Sequence, residues 1–268
     1  MAKDSRYRQV IATIHAAHYR RGAKAIEFDR EELRTAAQSL GIDVAKNLGD
    51  IIYTFRYRQE LPEEINRTAP EGFEWIIRPI GIAKYRFACV RRFRIEPAAN
   101  RYHIKIPDAT PEIVAKHALS SEQALLAKLR YNRLVDIFTG LTTYSLQNHL
   151  KTTVKNIGQI EVDELYLGVG KTGAQYILPV EAKGHGDRLG RIQFEQDLAL
   201  CTQRFPDLIC RQIAAQFMSE GVIAMFEVAF SGDDVQIVDE KHYLLVPAQE
   251  ITPEDLDAMR RMIATTPK

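Results

Sequence analysis

The chain lacks any run of about 18 apolar residues, the length a helix needs to cross a bilayer. Its opening residues, Met1-Ala2-Lys3-Asp4-Ser5-Arg6, also lack the apolar stretch of a secretory signal. Both absences predict a cytoplasmic protein with no membrane partner. Cysteine is scarce: Cys89, Cys201 and Cys210 are an odd number at spacings that fit neither a disulfide framework nor a zinc site. All three are expected to be reduced and structural. Net charge is nearly absent as well, +1 from 36 Lys+Arg against 35 Asp+Glu. What is present is an ordinary globular composition, 46% hydrophobic and 26% charged over 268 residues, enough for one large or two modest domains.

The small net charge hides a partition. Residues 1–115 hold 20 Lys+Arg and 15 Asp+Glu, a net of +5, which leaves 16 and 20, a net of −4, for residues 116–268. The first part is therefore the better candidate for touching a polyanion.

Residues 5–20 read as a basic helix with an apolar stripe of Val10, Ile11, Ile14 and Ala17. A second helix opens at Asp29, which suits an N-cap followed by acids in the first turn, and stops at Gly41. A third covers Ala45 to Tyr57, with Leu48, Ile51, Ile52 and Phe55 on one face and Lys46, Asn47, Arg56 and Arg58 on the other. Extended segments follow at Phe73–Pro79 and Ala83–Val90. Three helices and then a two-stranded ribbon is the element order of a winged helix, whose third helix would enter a DNA major groove. From Arg78 to Arg94 the chain carries Arg78, Lys84, Arg86, Arg91, Arg92 and Arg94 and no acid, interleaved with Tyr85, Phe87 and Phe93. That pattern suits phosphate contacts on double-stranded DNA; a solvated sheet face is the alternative.

Pro97, Pro107 and Pro111 break regular structure, and the domain boundary is expected there, giving a winged-helix-like domain over 1–110 and a second domain over 111–268. In the second, Ser120 or Ser121 caps a long helix that runs to Gly140. A shorter helix or loop at Leu146–Leu150 leads to strands at Gln159–Leu167 and Gln175–Lys183. A helix over Leu189–Arg204 comes next, then strands near Ile209–Ala215, Gly221–Phe230, Val235–Val238 and Lys241–Val246, and a last helix at Pro253. This is an α/β (α+β) pattern with a mixed sheet. Gly168-Val169-Gly170-Lys171-Thr172 imitates the end of a P-loop, but the first glycine would fall at Leu165 and a strand follows where a helix is required. It reads as a hairpin turn.

The strand before Gly184 ends in Glu181-Ala182-Lys183, and ionisable groups at the end of an apolar strand are costly to bury unless paired, liganded or catalytic. Period-2 geometry points Glu181 and Lys183 to one side. The partner strand, Ile160 to Leu167, also sets acids into an apolar run, and pairing can bring Asp163 beside Glu181. Two carboxylates and a lysine suit phosphodiester hydrolysis: the acids bind Mg²⁺, whose waters are activated, and the lysine orients water and stabilises negative charge. A simple Glu181–Lys183 ion pair is the alternative.

The arrangement of helix, strand with Asp163, turn, strand with Glu181-x-Lys183 and helix resembles the PD-(D/E)XK nuclease superfamily, to which most type II restriction endonucleases belong. The likeness spans residues of about 117–250; Val162 stands where the family has its proline, leaving Asp163 and Glu164 both eligible as ligand, with alternation favouring Asp163. The resemblance implies a restriction-endonuclease-like mixed-sheet core flanked by helices. It implies Mg²⁺ on Asp163, Glu181 and the Ala182 carbonyl, with Lys183 at the water. Glu122 on the preceding helix is the candidate for a further acid near the metal, and Gln193 for a glutamine on the following helix. Gln193 is followed four residues later by Asp197, so the Gln-x-x-x-Tyr pattern of the RecB-like branch is absent. Gln196, Arg188 and Arg191 lie nearby; His185 reads as loop, since the clustered His and Asn of HNH nucleases are missing. The implied activity is Mg²⁺-dependent DNA cleavage, as a type II restriction enzyme that could act as a homodimer. A structure-directed repair or recombination nuclease, or a DNA-binding regulator with an inactive core, are the alternatives.

Overall fold

The computed structural model of the chain describes residues 3–43, 48–117, 121–184 and 189–265. It is mixed α/β and divides into two compact units. The first holds Met1–Phe93 with Thr152–Ile160 and Gly232–Asp234; the second holds Arg94–Lys151, Glu161–Ser231 and Val235–Lys268.

The first unit runs α1 (Lys3–His18), β1 (Ala25–Asp29), α2 (Arg30–Ser39), α3 (Gly49–Tyr53), α4 (Glu63–Asn66), β2 (Phe73–Gly81) and β3 (Lys84–Arg91). A π turn at Thr54–Arg58 prolongs α3, and its last hydrogen bond runs from the Gln59 N–H to the Thr54 carbonyl at 2.9 Å. Helix α2 starts where a capping box closes: the Asp29 N–H donates to Glu32 Oε1 at 2.8 Å while the Glu32 N–H returns to the Asp29 carboxylate. It stops before Gly41, which takes a left-handed φ of +64°. Strand β3 lies between β1 and β2, antiparallel to both. Period-2 alternation buries Tyr85 and Phe87 and leaves Lys84 and Arg86 facing out. The core gathers Val10, Ile11 and Ile14 of α1 with Leu33, Ile51, Trp75 and Phe87. Each such burial contributes about 1.5–3 kcal/mol.

Three features of this unit depart from expectation, the first being α4, a single-turn helix too short to show an apolar period. Strand β1 is additional, five residues in which only Ile26 and Phe28 are buried, too short for its alternation to stand out. The described part of the third helix is shorter than Ala45–Tyr57; Lys46 and Asn47 lie outside the described residues.

The second unit continues with β4 (His103–Pro107), α5 (Glu112–His117), α6 (Ser121–Tyr131), α7 (Leu134–Thr139), β5 (Thr142–Val154), β6 (Gly158–Val169), β7 (Gln175–Lys183), α8 (Arg191–Arg204), β8 (Ile209–Cys210), β9 (Gln212–Phe217), β10 (Val222–Ser231), β11 (Asp234–Val246) and α9 (Pro253–Thr265). The sheet order is β4-β11-β10-β9-β7-β6-β5, with β8 paired to β7. Strands β6 and β7 are antiparallel across the hairpin turn; β7 and β9 are parallel, joined through α8, as a parallel connection requires a crossover. Helices α6 and α7 cover one face, with Leu125, Leu129, Leu134 and Phe138 against Tyr166, Leu178, Val180 and Ile213. On the other face Cys201 of α8 packs with Leu165 and Ile177. Residues 94–110, grouped with the N-terminal domain on sequence, supply β4 to this sheet, parallel to β11.

Three sequence expectations are corrected here. The long helix from Ser120 or Ser121 to Gly140 is two helices, because Arg133 adopts a left-handed φ of +50°. The preceding Asn132 turns its side chain to the chain upstream: its Oδ1 accepts the Ala109 N–H at 2.7 Å and its Nδ2 donates to Thr110 Oγ1 at 2.9 Å. Leu146–Leu150 is neither helix nor loop but the middle of β5, whose mostly exposed faces give no apolar alternation to read. The two strands expected at Val235–Val238 and Lys241–Val246 are one, β11. Glu240, between the two expected segments, is engaged by the Ala98 N–H at 2.8 Å, by Arg101 and by His242.

Candidate functional site

The ends of β6 and β7 bring acids and a lysine together. The register sets Glu164 opposite Val180, so Asp163 and Glu181 are the next residues along. The Ala182 N–H donates to Asp163 Oδ2 at 2.9 Å. The N–H and C=O of one strand residue point to the same neighbouring strand, so the Ala182 carbonyl is turned to the Asp163 side too. Lys183 Nζ stands 3.8 Å from Asp163 Oδ2 and 3.2 Å from Glu122 Oε1 of α6.

Asp163 and Glu164 have separate surroundings, as adjacent strand residues on opposite faces must. Glu164 Oε1 accepts from Arg130 Nε at 3.1 Å and from Ser145 Oγ at 2.6 Å. That carboxylate is tied into the face covered by α6, while Asp163 meets Lys183.

Glu181 is 4% exposed and its Oε1 has no hydrogen-bond partner among the described residues. Burial, and then the charges of Asp197 and Asp163, raise its pKa well above the carboxylate range. Asp163 is raised too, chiefly by burial, against the pull of Lys183 and of the Ala182 N–H. Burial works against the Lys183 ammonium, but Asp163, Glu181 and Glu122 outweigh it and hold it charged.

Gln193 is half-buried on α8, one turn before Asp197. Sequence reasoning passed over Asp197 itself, a carboxylate only 1% exposed whose Oδ2 also has no partner among the described residues. The available signal was an acid at helical spacing within the buried series Phe194, Leu200 and Cys201. It passed over His149 as well, which bonds Gln123 at 2.9 Å from a left-handed φ of +46° inside β5. His185 and Arg188 lie outside the described residues. Arg191 is buried, paired with Glu195 on the same helix and set 6.0 Å from the centre of the Phe230 ring.

No three His, Cys, Asp or Glu side chains converge as a ready metal set among the described residues. The donors that do gather, Asp163, Glu181 with its unpaired oxygen and the Ala182 carbonyl, are all hard oxygens. They fit a cation that takes one or two carboxylates and keeps several waters, as Mg²⁺ does.

In the first unit the basic side chains are dispersed. Arg86 pairs with Glu27 across β1 and β3, Lys84 and Arg92 are exposed, and Arg91 lies 3.5 Å from Asp234. Arg58 stacks over Tyr53 and Arg56 over Tyr57, each 4.9 Å from the ring centre. Arg94 falls in the second unit, where it bridges Gly190 through the backbone. No protein-family model, no curated protein and no solved structure matches the chain.

Proposed function

We propose that the chain is a Mg²⁺-dependent DNA endonuclease, of the type II restriction kind, in which the second unit cuts and the first binds DNA. The observation that carries this is Glu181: a buried carboxylate with an unpaired oxygen, on the strand beside Asp163 and two residues before a lysine that Asp163 and Glu122 hold. Buried polar atoms are ordinarily satisfied, so an unsatisfied acid in such company points to a function. The order of elements supports the same reading. Helices α6 and α7 ahead of the sheet, strand β6 with Asp163, a turn, strand β7 with Glu181-Ala182-Lys183 and then α8 contain the order the PD-(D/E)XK resemblance implies, with β5 inserted before β6. In the first unit, helix, strand, three helices of which the last is a single turn, and a hairpin, with β1 beside β3, resembles the order of a winged helix, and outward-facing Lys84 and Arg86 suit phosphate oxygens.

Bound Mg²⁺ would supply a polarised water and neutralise charge on the phosphate. Asp163, Glu181 and the Ala182 carbonyl would hold it. Lys183 orients the attacking water and stabilises the negative charge that grows on the phosphate oxygens; Asp163 and Glu122 keep its ammonium charged and aimed. A homodimer on a palindromic site goes with this class of enzyme.

The test is digestion of unmethylated plasmid and phage DNA with Mg²⁺, beside EDTA and Lys183→Ala controls. Discrete fragments that vanish in both controls support a restriction enzyme. Products only from branched or flapped DNA move the reading to a structure-directed nuclease, and no cutting of any substrate overturns it in favour of a DNA-binding regulator.

A further inference from the structure

Helix α8 carries an acid outside the strand motif. Phe194, Asp197, Leu200 and Cys201 are all buried, and residues three and four apart on a helix share a face. Cys201 on that face packs on Leu165 and Ile177. Asp163 and Glu181 differ from those two residues by even numbers along β6 and β7, so they lie on the same side of the sheet. The chain turns back from β7 into α8, so stepping from Cys201 towards the start of the helix leads to the strand ends that carry Asp163 and Glu181. Asp197 is the residue one turn back. Its unpaired Oδ2 is thus directed into the group that already contains the unpaired Glu181 Oε1. The charge of Asp197 acts on Glu181, and Asp197 is itself pushed well above the carboxylate range by burial and by Asp163.

Packing alone does not explain an acid at this position, because leucine or asparagine would fill the space without an uncompensated carboxylate. We propose that Asp197 is a positioning residue of the cation site, accepting hydrogen bonds from water on the ion held by Asp163 and Glu181. This rests on the nuclease reading above. The contact runs through water because no three acids converge closely enough to ligate one ion directly among the described residues, and because Mg²⁺ gives up its waters reluctantly. Its part is to fix the cation's water shell, and with it the attacking water.

The experiment is calorimetric titration of the full chain with Mn²⁺, without DNA, for the wild type, Asp163→Asn and Asp197→Asn. The wild type is expected to bind, and Asp197→Asn to bind about 10- to 100-fold more weakly, the usual effect of losing a partner one layer out from a metal. Its thermal midpoint without cation should be no lower than the wild type's, which separates this role from a purely structural one. Equal Mn²⁺ affinity in the Asp197→Asn variant overturns the proposal while leaving the nuclease reading standing. A wild-type chain that takes up no Mn²⁺ overturns both. The carboxylate ¹³C resonance of Asp197 in the wild type, followed during Mg²⁺ titration, tests the point should the variant fail to fold: it should move, and a fixed resonance in a chain that binds Mg²⁺ rejects the role.

Discussion

Two buried sites, one in each unit, use ionisable groups in opposite ways. In the first, His15 sits in an aromatic cage, its ring 5.1–5.2 Å from Tyr19, Trp75 and Phe87, and burial lowers its pKa from 6.5 to about 4. It is a histidine used as a neutral aromatic, a packing element. In the second, Glu181 and Asp197 are buried near other acids, and each is pushed up by that company as well as by burial. Stability would be better served by neutral residues there. A core that tolerates one desolvated base serves folding alone, whereas a core that assembles desolvated acids around a lysine is arranged for something that compensates them.

The largest expected effect separates the lysine from the rest of that site. Lys183→Ala should lower cleavage by about 10²–10³-fold, the scale of losing one charge-stabilising donor, with DNA binding retained. A variant that cuts at near the wild-type rate removes Lys183 from the site and makes the acids a folding feature after all.

Stability against pH contrasts the two units next. The folded pKa of His15 lies below its unfolded value, so the unfolded chain takes up the proton first. Its contribution is intact above about pH 6.5 and is lost as pH falls towards about 4, by about 3 kcal/mol in all. Glu181 runs the other way. Its folded pKa is raised, so the folded state keeps a proton that the unfolded chain releases above the ordinary carboxylate range, and stability falls as pH rises from there to the folded value. His15→Phe should therefore flatten the acid side of a denaturation series, and Glu181→Gln should raise the metal-free midpoint on the neutral side. If both substitutions act on the same side, the contrast between the units is wrong.

Much of this was open to a reader of the residues alone, and the gaps have physical causes. The hairpin of β6 and β7 was legible because apolar alternation and a glycine-rich turn agree, and α2 because Asp29 suits an N-cap with acids in the turn after it and Gly41 marks the stop. Strand β1 and the edge strand β5 were not, since a strand that buries little has no hydrophobic period to show. The break at Asn132 was hidden because it depends on side-chain bonds to Ala109 and Thr110, more than 20 residues away in sequence. Asp197 was hidden for a related reason: a sequence shows which face of α8 is apolar, but only the crossover from β7 reveals that this face meets Asp163 and Glu181.

A smaller effect distinguishes two neighbouring acids within the second unit. Glu164 is fully buried and engaged by Arg130 and Ser145, so Glu164→Gln should cost about 1–3 kcal/mol of stability by weakening bonds to a charged group. Cation binding should hardly change. Asp163→Asn should do the reverse, leaving the melting midpoint near or above the wild-type value while weakening Mn²⁺ uptake. Should Glu164→Gln prove the more harmful to Mn²⁺ uptake, the ligand role passes to Glu164.

The smallest effect is expected in the first unit, where charges are spread over a surface. Each phosphate that a basic side chain ceases to neutralise should reduce the slope of log K against log salt by about 0.9 for duplex DNA. Lys84→Gln, Arg91→Gln and Arg92→Gln together should therefore flatten it by up to about 3 if all three side chains reach the DNA backbone. Arg86→Gln should change it less than Lys84→Gln does, because Glu27 already neutralises Arg86 across the β1–β3 pair and must be drawn away before a phosphate can take its place. Equal slopes for those two single variants would mean that the Glu27 pair opens freely on DNA. An unchanged slope in the triple variant would mean that β3 and the residues after it carry an ordinary solvated face, and that the first unit reaches DNA, if it does, through the third helix alone.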